Sequence, residues 1–284
     1  MSEAPLSSAP VTPSPGHPLI PPVYEPLAAR EGRTAEALRV RRIGGSDLAA
    51  ALRAGIDDFA HQPSQIVFLM LIYPIVGLFL ARAVLGHDIA PLLFPLAAGF
   101  ALLGPFAAVG LYEISRRREA GLDHGWRYAF DVLRSPSIGA IAMLGLVLMV
   151  IFLAWLVTAM AIYRLTLGFY APDSLSAFAQ ALFGTRQGLA LIALGNGVGF
   201  LFALLTLSLS AVSFPLLVDR PVGLACAVRT SLAAMRANPG PMLAWGLIVA
   251  VALLLGALPA FIGLAVVLPV LGHATWHLYR RIVV

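Results

Sequence analysis

Lysine is missing from this chain; all 19 basic residues are arginine. That bias fits a GC-rich genome and assigns no chemistry. Cysteine is nearly missing too. The single Cys226 excludes an internal disulfide framework and a cysteine-built metal or iron–sulfur centre, and reads as a small apolar filler. Charge is scarce at 12% of residues, where soluble domains carry roughly a quarter. Catalytic signatures are lacking as well: there is no phosphate-cradling glycine loop, no Gly-x-Ser-x-Gly, no His-Glu-x-x-His and no run of carboxylates suggesting a dyad. No catalytic residue is indicated, and the chain does not read as an enzyme.

What is present in excess is hydrocarbon. Hydrophobic residues make up 60% of the chain, and the mean hydropathy is +0.88. That surplus must face a solvent other than water, and a lipid bilayer is the available one. The net charge of +5 and pI near 9.9 do not indicate nucleic acid, because the arginines flank apolar runs and form no basic stripe with interleaved aromatics.

Along the chain, residues 1–44 read as a disordered tail. Eight prolines fall before residue 27, followed by an Arg/Glu-rich stretch from Ala28 to Arg42. The start lacks the basic-then-apolar pattern of a signal peptide. Ser46-Asp47 offers a helix N-cap, and Leu48, Leu52, Ile56 and Phe59 recur on one face of a helix too short and polar to span. It should lie in the membrane interface.

Residues 45–284 read as an all-α, polytopic bundle of six transmembrane helices. The spans fall at about 66–85, 90–114, 138–163, 189–218, 242–257 and 259–279. The last two divide an apolar run too long for one helix, with Gly256-Ala257-Leu258-Pro259 as the hairpin. All the arginines except Arg82, Arg164 and Arg186 then fall on one side. The positive-inside rule makes that side cytoplasmic, with both termini inside, and the chain a multi-pass protein of a bacterial inner membrane.

The spans form three pseudo-repeats, each an interfacial helix, a straight span and a proline-kinked span. Pro63, Pro136 and Pro239 mark the entry to spans one, three and five. At one offset of 176, Leu48, Leu52, Ile56, Phe59 and Pro63 fall on Leu224, Val228, Leu232, Met235 and Pro239, and Arg53 falls on Arg229. The middle copy is looser, with Trp126, Phe130 and Leu133 as its apolar face. Spans two, four and six carry Pro105, Pro215 and Pro269, each four residues after an alanine, and should kink there. All copies enter from one side, so the repeats are parallel.

Polar groups at membrane depth are the residues a mechanism would use. Glu113, Asp219 and the pair His273 and His277 end the three kinked spans and could share one polar site; the bland alternative is interfacial pairing with neighbouring arginines. His273 and His277, four apart on one helical face, could give two imidazoles to a metal or haem, with Glu113 as a third ligand. No metal or cofactor is otherwise implied. Asn196, within Gly195-Asn196-Gly197-Val198-Gly199, reads as an interhelical hydrogen-bonding residue in a close-packing segment.

Several stretches carry a resemblance. Asp47-Leu48, Asp58-Phe59, Ile72-Tyr73-Pro74, Leu93-Phe94-Pro95-Leu96-Ala97-Ala98-Gly99-Phe100, Gly104-Pro105-Phe106 and Gly110-Leu111-Tyr112-Glu113 are among them. So are Ser213-Phe214-Pro215 with Asp219-Arg220, and the run Leu271-Gly272-His273-Ala274-Thr275-Trp276-His277-Leu278-Tyr279-Arg280. Over about residues 45–281 these resemble a bacterial family known only as predicted integral membrane proteins of unknown function. Some members carry a cytochrome c oxidase subunit I label. That subunit holds its histidine ligands deep in many more helices, whereas His273 and His277 end a span here. The resemblance implies fold and location, not mechanism.

Three functions stay open on these grounds. The first is a non-enzymatic scaffold or assembly protein whose cytoplasmic face binds a membrane-complex partner or a second copy of the chain. The second is a small transporter or channel with its polar site at the ends of spans two, four and six. The third is a metal- or haem-binding redox subunit.

Overall fold

The computed structural model describes residues 38–61, 95, 101–170, 174–259 and 262–284. The expected first span, residues 90–94 and 96–100 of the expected second, and the tail before residue 38 lie outside the described residues. What is described is helical, apart from one isolated antiparallel bridge between Val40 and Val283.

The order is α1 (Gly45–Ala60), α2 (Gly104–Ala107), α3 (Val109–Glu119), a 3-10 helix (Trp126–Arg134), α4 (Ile138–Leu167), α5 (Leu175–Gly184), α6 (Arg186–Ser210), α7 (Ser213–Asp219), α8 (Leu224–Ala237), α9 (Pro239–Ala257) and α10 (Leu264–Ile282). Among the described residues, three stretches are long and apolar enough to cross a membrane: Ile138–Leu167, Arg186–Asp219 and Pro239–Ala257.

α4 shows why lipid must surround these helices. Its buried residues, among them Ile141, Leu144, Leu148, Ile151, Trp155 and Ala159, recur every three or four positions and form one stripe. The other faces are no more polar: Met143, Leu146, Val150, Leu153 and Val157 are all exposed. A helix apolar all round, yet packed on one face only, needs hydrocarbon on the rest. The inward stripe seats Trp155, whose ring meets Phe202 of α6 at 5.6 Å and whose Nε1 donates to the Pro95 carbonyl at 2.9 Å.

The prolines behave differently from one another. Pro215 lies in α7, just after a break at Ala211–Val212 that separates α6 from α7. It cannot donate to the Ala211 carbonyl four residues back, so the helix parts there. Pro105 stands in the first turn of the short α2, with Ala108 between it and α3. Pro269 interrupts nothing: α10 runs unbroken from Leu264 to Ile282. Only Leu264 to Leu268 precede it in the helix, so a single bond to Ala265 is lost within the first turns.

Other expectations need adjusting. The stretch at Trp126–Arg134 is a 3-10 helix and not an α-helix. It ends where Pro136 holds Ser135 in an extended conformation. A short helix not foreseen, α5, is capped by the Ser174 hydroxyl and folds against the start of α6, where Gly188 leaves no room for a side chain beside the Ala181 and Leu182 carbonyls. α4 continues past 163, α6 starts before 189, and α10 starts at 264 instead of 259. The end of the supposed tail is fixed, not loose. Residues 39–41 bond to 282–284, and the Ile43 amide donates to Asn238 Oδ1 at 2.8 Å.

Candidate functional site

The packing face of α1 is not the leucine-rich one. Leu48, Ala51, Gly55 and Asp58 are buried, while Ile56 is about half exposed and Leu52 and Phe59 are only partly covered. The reason is close approach. A Cβ on Gly55 would sit 2.5 Å from the Ala274 backbone nitrogen, so α1 lies directly on α10 through its small residues. That contact carries Asp58, which lies off the Leu52–Ile56–Phe59 face, into the interior.

Asp58 finds four hydrogen-bond donors or near neighbours there. Its Oδ2 accepts from the Ser115 hydroxyl at 2.5 Å and from His277 Nε2 at 2.9 Å, while Oδ1 accepts from Arg118. His273 Nδ1 is 3.8 Å from Oδ2. Arg118 also donates to Asp57 at 2.8 Å. One carboxylate thus joins α1, α3 and α10. Burial raises the cost of its charge, but the bonds from His277, Ser115 and Arg118 outweigh it and hold the carboxyl at about 2.

The donor directions fix a tautomer. Ser115 gives its proton to Asp58, so its oxygen must accept from His273 Nδ1 at 2.7 Å. A neutral His273 therefore carries its proton on Nδ1. Its Nε2 is buried and has no hydrogen-bond partner among the described residues.

Glu113 and Asp219 are elsewhere. Glu113 is buried in a two-pronged pair with Arg116, at 2.7 and 2.6 Å. Asp219 accepts from the Tyr279 hydroxyl at 2.6 Å and from Arg220 at 3.2 Å, with Arg280 at 3.5 Å. Both line a cleft of about 310 Å³ bounded by the end of α3, the 3-10 helix, the start of α4 and the end of α7. Glu119 bridges toward α10, accepting from Trp276 Nε1 and Arg280 Nε at 3.0 Å each. The expected residues thus form two neighbouring networks, with His273 and His277 in one and Glu113 and Asp219 in the other. Asn196 joins neither; it is exposed, and its amide donates to the Ile192 carbonyl of its own helix. No group of three or more His, Cys, Asp or Glu suited to a metal occurs among the described residues.

Asp58 and Arg118 are the residues that a reading of apolar periodicity passes over. The available signal was the spacing of Ala51, Gly55 and Asp58, a small-residue stripe that admits another helix and brings the carboxylate with it.

Apolar helices exposed on most faces, closed at one end by paired charges, define an integral membrane protein. Within that class, residues 93–219 match the model of a family described as predicted integral membrane protein (DUF2189), whose function is unknown. The match covers the segment from just before α2 to the end of α7 and leaves α1 and α8–α10 outside it. No curated protein and no solved structure matches the chain.

Proposed function

We propose that this is a non-enzymatic scaffold or assembly protein of a bacterial inner membrane, multi-pass, with both termini in the cytoplasm, and that it acts through its cytoplasmic face. The observation that carries this reading is the use made of its polar residues. Among the described residues, Asp58 with Ser115, Arg118 and His277 joins α1, α3 and α10, and Asp219 with Tyr279 joins α7 to α10, while Glu113 pairs with Arg116 within α3; these bonds support a rigid platform at the helix ends. Its partner is another membrane-complex protein or a second copy of the chain.

Six spans in three parallel repeats fit the same reading. Its support is the way neighbouring units pack: the 3-10 helix sits on α3, α8 on α6 and α7, and α1 on α10. Each interfacial element thus leans on the proline-bearing span of the preceding repeat, and the first returns to the last. The buried faces agree as well. Ala51, Gly55 and Asp58 correspond at the 176 offset to Ala227, Ser231 and Ala234, all buried.

Reporters at Gly86 and Pro172 should read periplasmic and one at Asp123 cytoplasmic; the reverse would overturn the topology. For the scaffold role, a photo-crosslinker replacing exposed Ile56 should give one discrete membrane-protein adduct in native membranes. No discrete adduct, together with solute flux in proteoliposomes, would favour the transporter or channel. That second reading rests on the cleft holding Glu113 and Asp219. The metal- or haem-binding reading rests on the unpartnered His273 Nε2, and purified protein without a Soret band or stoichiometric metal would end it.

A further inference from the structure

The cleft between α3, the 3-10 helix, α4 and α7 has a chemistry that the paired networks do not use up. Four guanidinium groups line it, those of Arg116, Arg117, Arg134 and Arg220, together with Ser135 and Ser137 at the entrance to α4. Three carboxylates line it as well, but each has its own cation. Glu113 holds Arg116, Asp131 accepts from Arg117 at 3.2 Å, and Asp219 holds Arg220 with Arg280 alongside. Arg134 is left over: it is exposed, and among the described residues no hydrogen bond or ion pair engages it. The amino-terminal end of the 30-residue α4 opens onto the same space and adds its partial positive charge.

The surface beside this cleft is apolar. Trp126, Phe130 and Leu133 of the 3-10 helix are 54%, 57% and 65% exposed, and the two rings stack edge to face at 6.3 Å. They project from the same short helix that sends Arg134 to the cleft. In a membrane protein, an apolar ledge next to a cationic pocket at the helix ends matches one kind of molecule, with charge at one end and hydrocarbon at the other.

We propose that this cleft binds the phosphate headgroup of an anionic phospholipid, with Arg134 as the free cation that meets it and the Trp126, Phe130 and Leu133 face lying along the acyl chains. The volume of about 310 Å³ suits a headgroup and not an extended chain. The proposal needs these helix ends to lie at a membrane surface; it does not depend on the scaffold role, whose crosslinking test can fail without touching it.

The test uses the full chain purified in detergent and titrated, by native mass spectrometry, with phosphatidylglycerol and phosphatidylcholine of identical acyl chains. Phosphatidylglycerol should bind in preference, as one tightly held molecule. Arg134→Gln should weaken that binding about fivefold, the worth of one arginine near an anionic headgroup. Arg236→Gln, which removes an equally exposed charge from α8 outside the cleft, should leave it unchanged. Among the described residues neither side chain makes a hydrogen bond, so both variants should melt as the parent does. Equal binding of the two lipids, or equal loss in the two variants, would overturn the proposal. Displacement of phosphatidylglycerol by millimolar inorganic phosphate would also overturn it, by assigning the cleft to a soluble phosphate.

Discussion

α1 and α8 are short helices that dock in the same manner and are fastened by opposite chemistry. Each presents a stripe of small residues to a proline-bearing span: Ala51, Gly55 and Asp58 in one, Ala227, Ser231 and Ala234 in the other. Under α8 the span is broken, so it offers unmet backbone groups. Ser231 accepts from the Val212 amide at 3.3 Å, and the Ser213 hydroxyl donates to the Ala227 carbonyl at 3.1 Å and to Leu209 at 2.6 Å. Under α1 the span is α10, a continuous helix despite the one bond that Pro269 cannot donate. Only side chains can then fasten the joint, and the Asp58 cluster with Ser115, His273 and His277 does so. Whether the supporting helix breaks decides whether hydroxyls or charges hold the docked one.

If that is right, the charged joint should be the more brittle. Asp58→Asn should destabilise the protein by about 3 kcal/mol, because Arg118 and His277 keep their charge or dipole in a buried site without a carboxylate to meet it. Thermal unfolding in detergent would measure it, and a loss no larger than that of a surface substitution would remove Asp58 from the joint.

Acid should separate the joints in a second way. The Asp58 carboxyl ionises at about 2 in the fold against an ordinary 3.8, so between those values the unfolded chain binds more protons than the native one. Its stabilisation is complete above pH 3.8 and is lost as pH falls toward 2. Asp47 is lowered as well, first by its bond from the Gly44 amide. The diagnostic quantity is therefore the difference between parent and Asp58→Asn, which should shrink from pH 5 to pH 2. A constant difference would place the effect elsewhere.

The close approach that permits the charged joint is testable at Gly55. Gly55→Ala places a methyl group 2.5 Å from the Ala274 nitrogen and 2.6 Å from its Cβ, and neither backbone can yield without moving a helix. The expected loss is about 2 kcal/mol, typical of overpacking, with crosslinks between α1 and α10 weakened. An unchanged melting temperature would mean that the helices sit farther apart.

How much of this could be read from the residues alone varies with the physics involved. Apolar runs identify α4, α6 and α9, because length and hydropathy alone require a bilayer around them. Pro215 points to the break at Ala211–Val212, but the same rule does not foresee the continuity of α10 through Pro269, where distance from the helix start decides the outcome. The face of α1 was misread because leucine periodicity is a good guide in water, where burial drives packing. At a membrane surface, large apolar side chains are content in lipid, and the small ones make the protein contact. For the same reason Trp126, Phe130 and Leu133 form a regular apolar face that stays more than half exposed. Asn196, which looked like interhelical glue, bonds its own helix. The meeting of Asp58, Ser115 and His273, at separations of 57 and 158 residues, is a tertiary fact that no local pattern contains.

The hydroxyl-fastened joint should respond least. Ser231→Ala removes the acceptor for the Val212 amide and leaves that donor buried beside the break, an expected cost of about 1 kcal/mol. No titrating group takes part at Ser231, so the loss should be the same at pH 7 and pH 3. Ser231→Gly should cost more than Ser231→Ala, since it adds backbone freedom within α8 to the same lost acceptor. If Ser231→Ala instead matched Asp58→Asn in size, the bond to Val212 would be holding far more than one amide. The break in the span would then be the weak point of the bundle, and the contrast between the joints would invert.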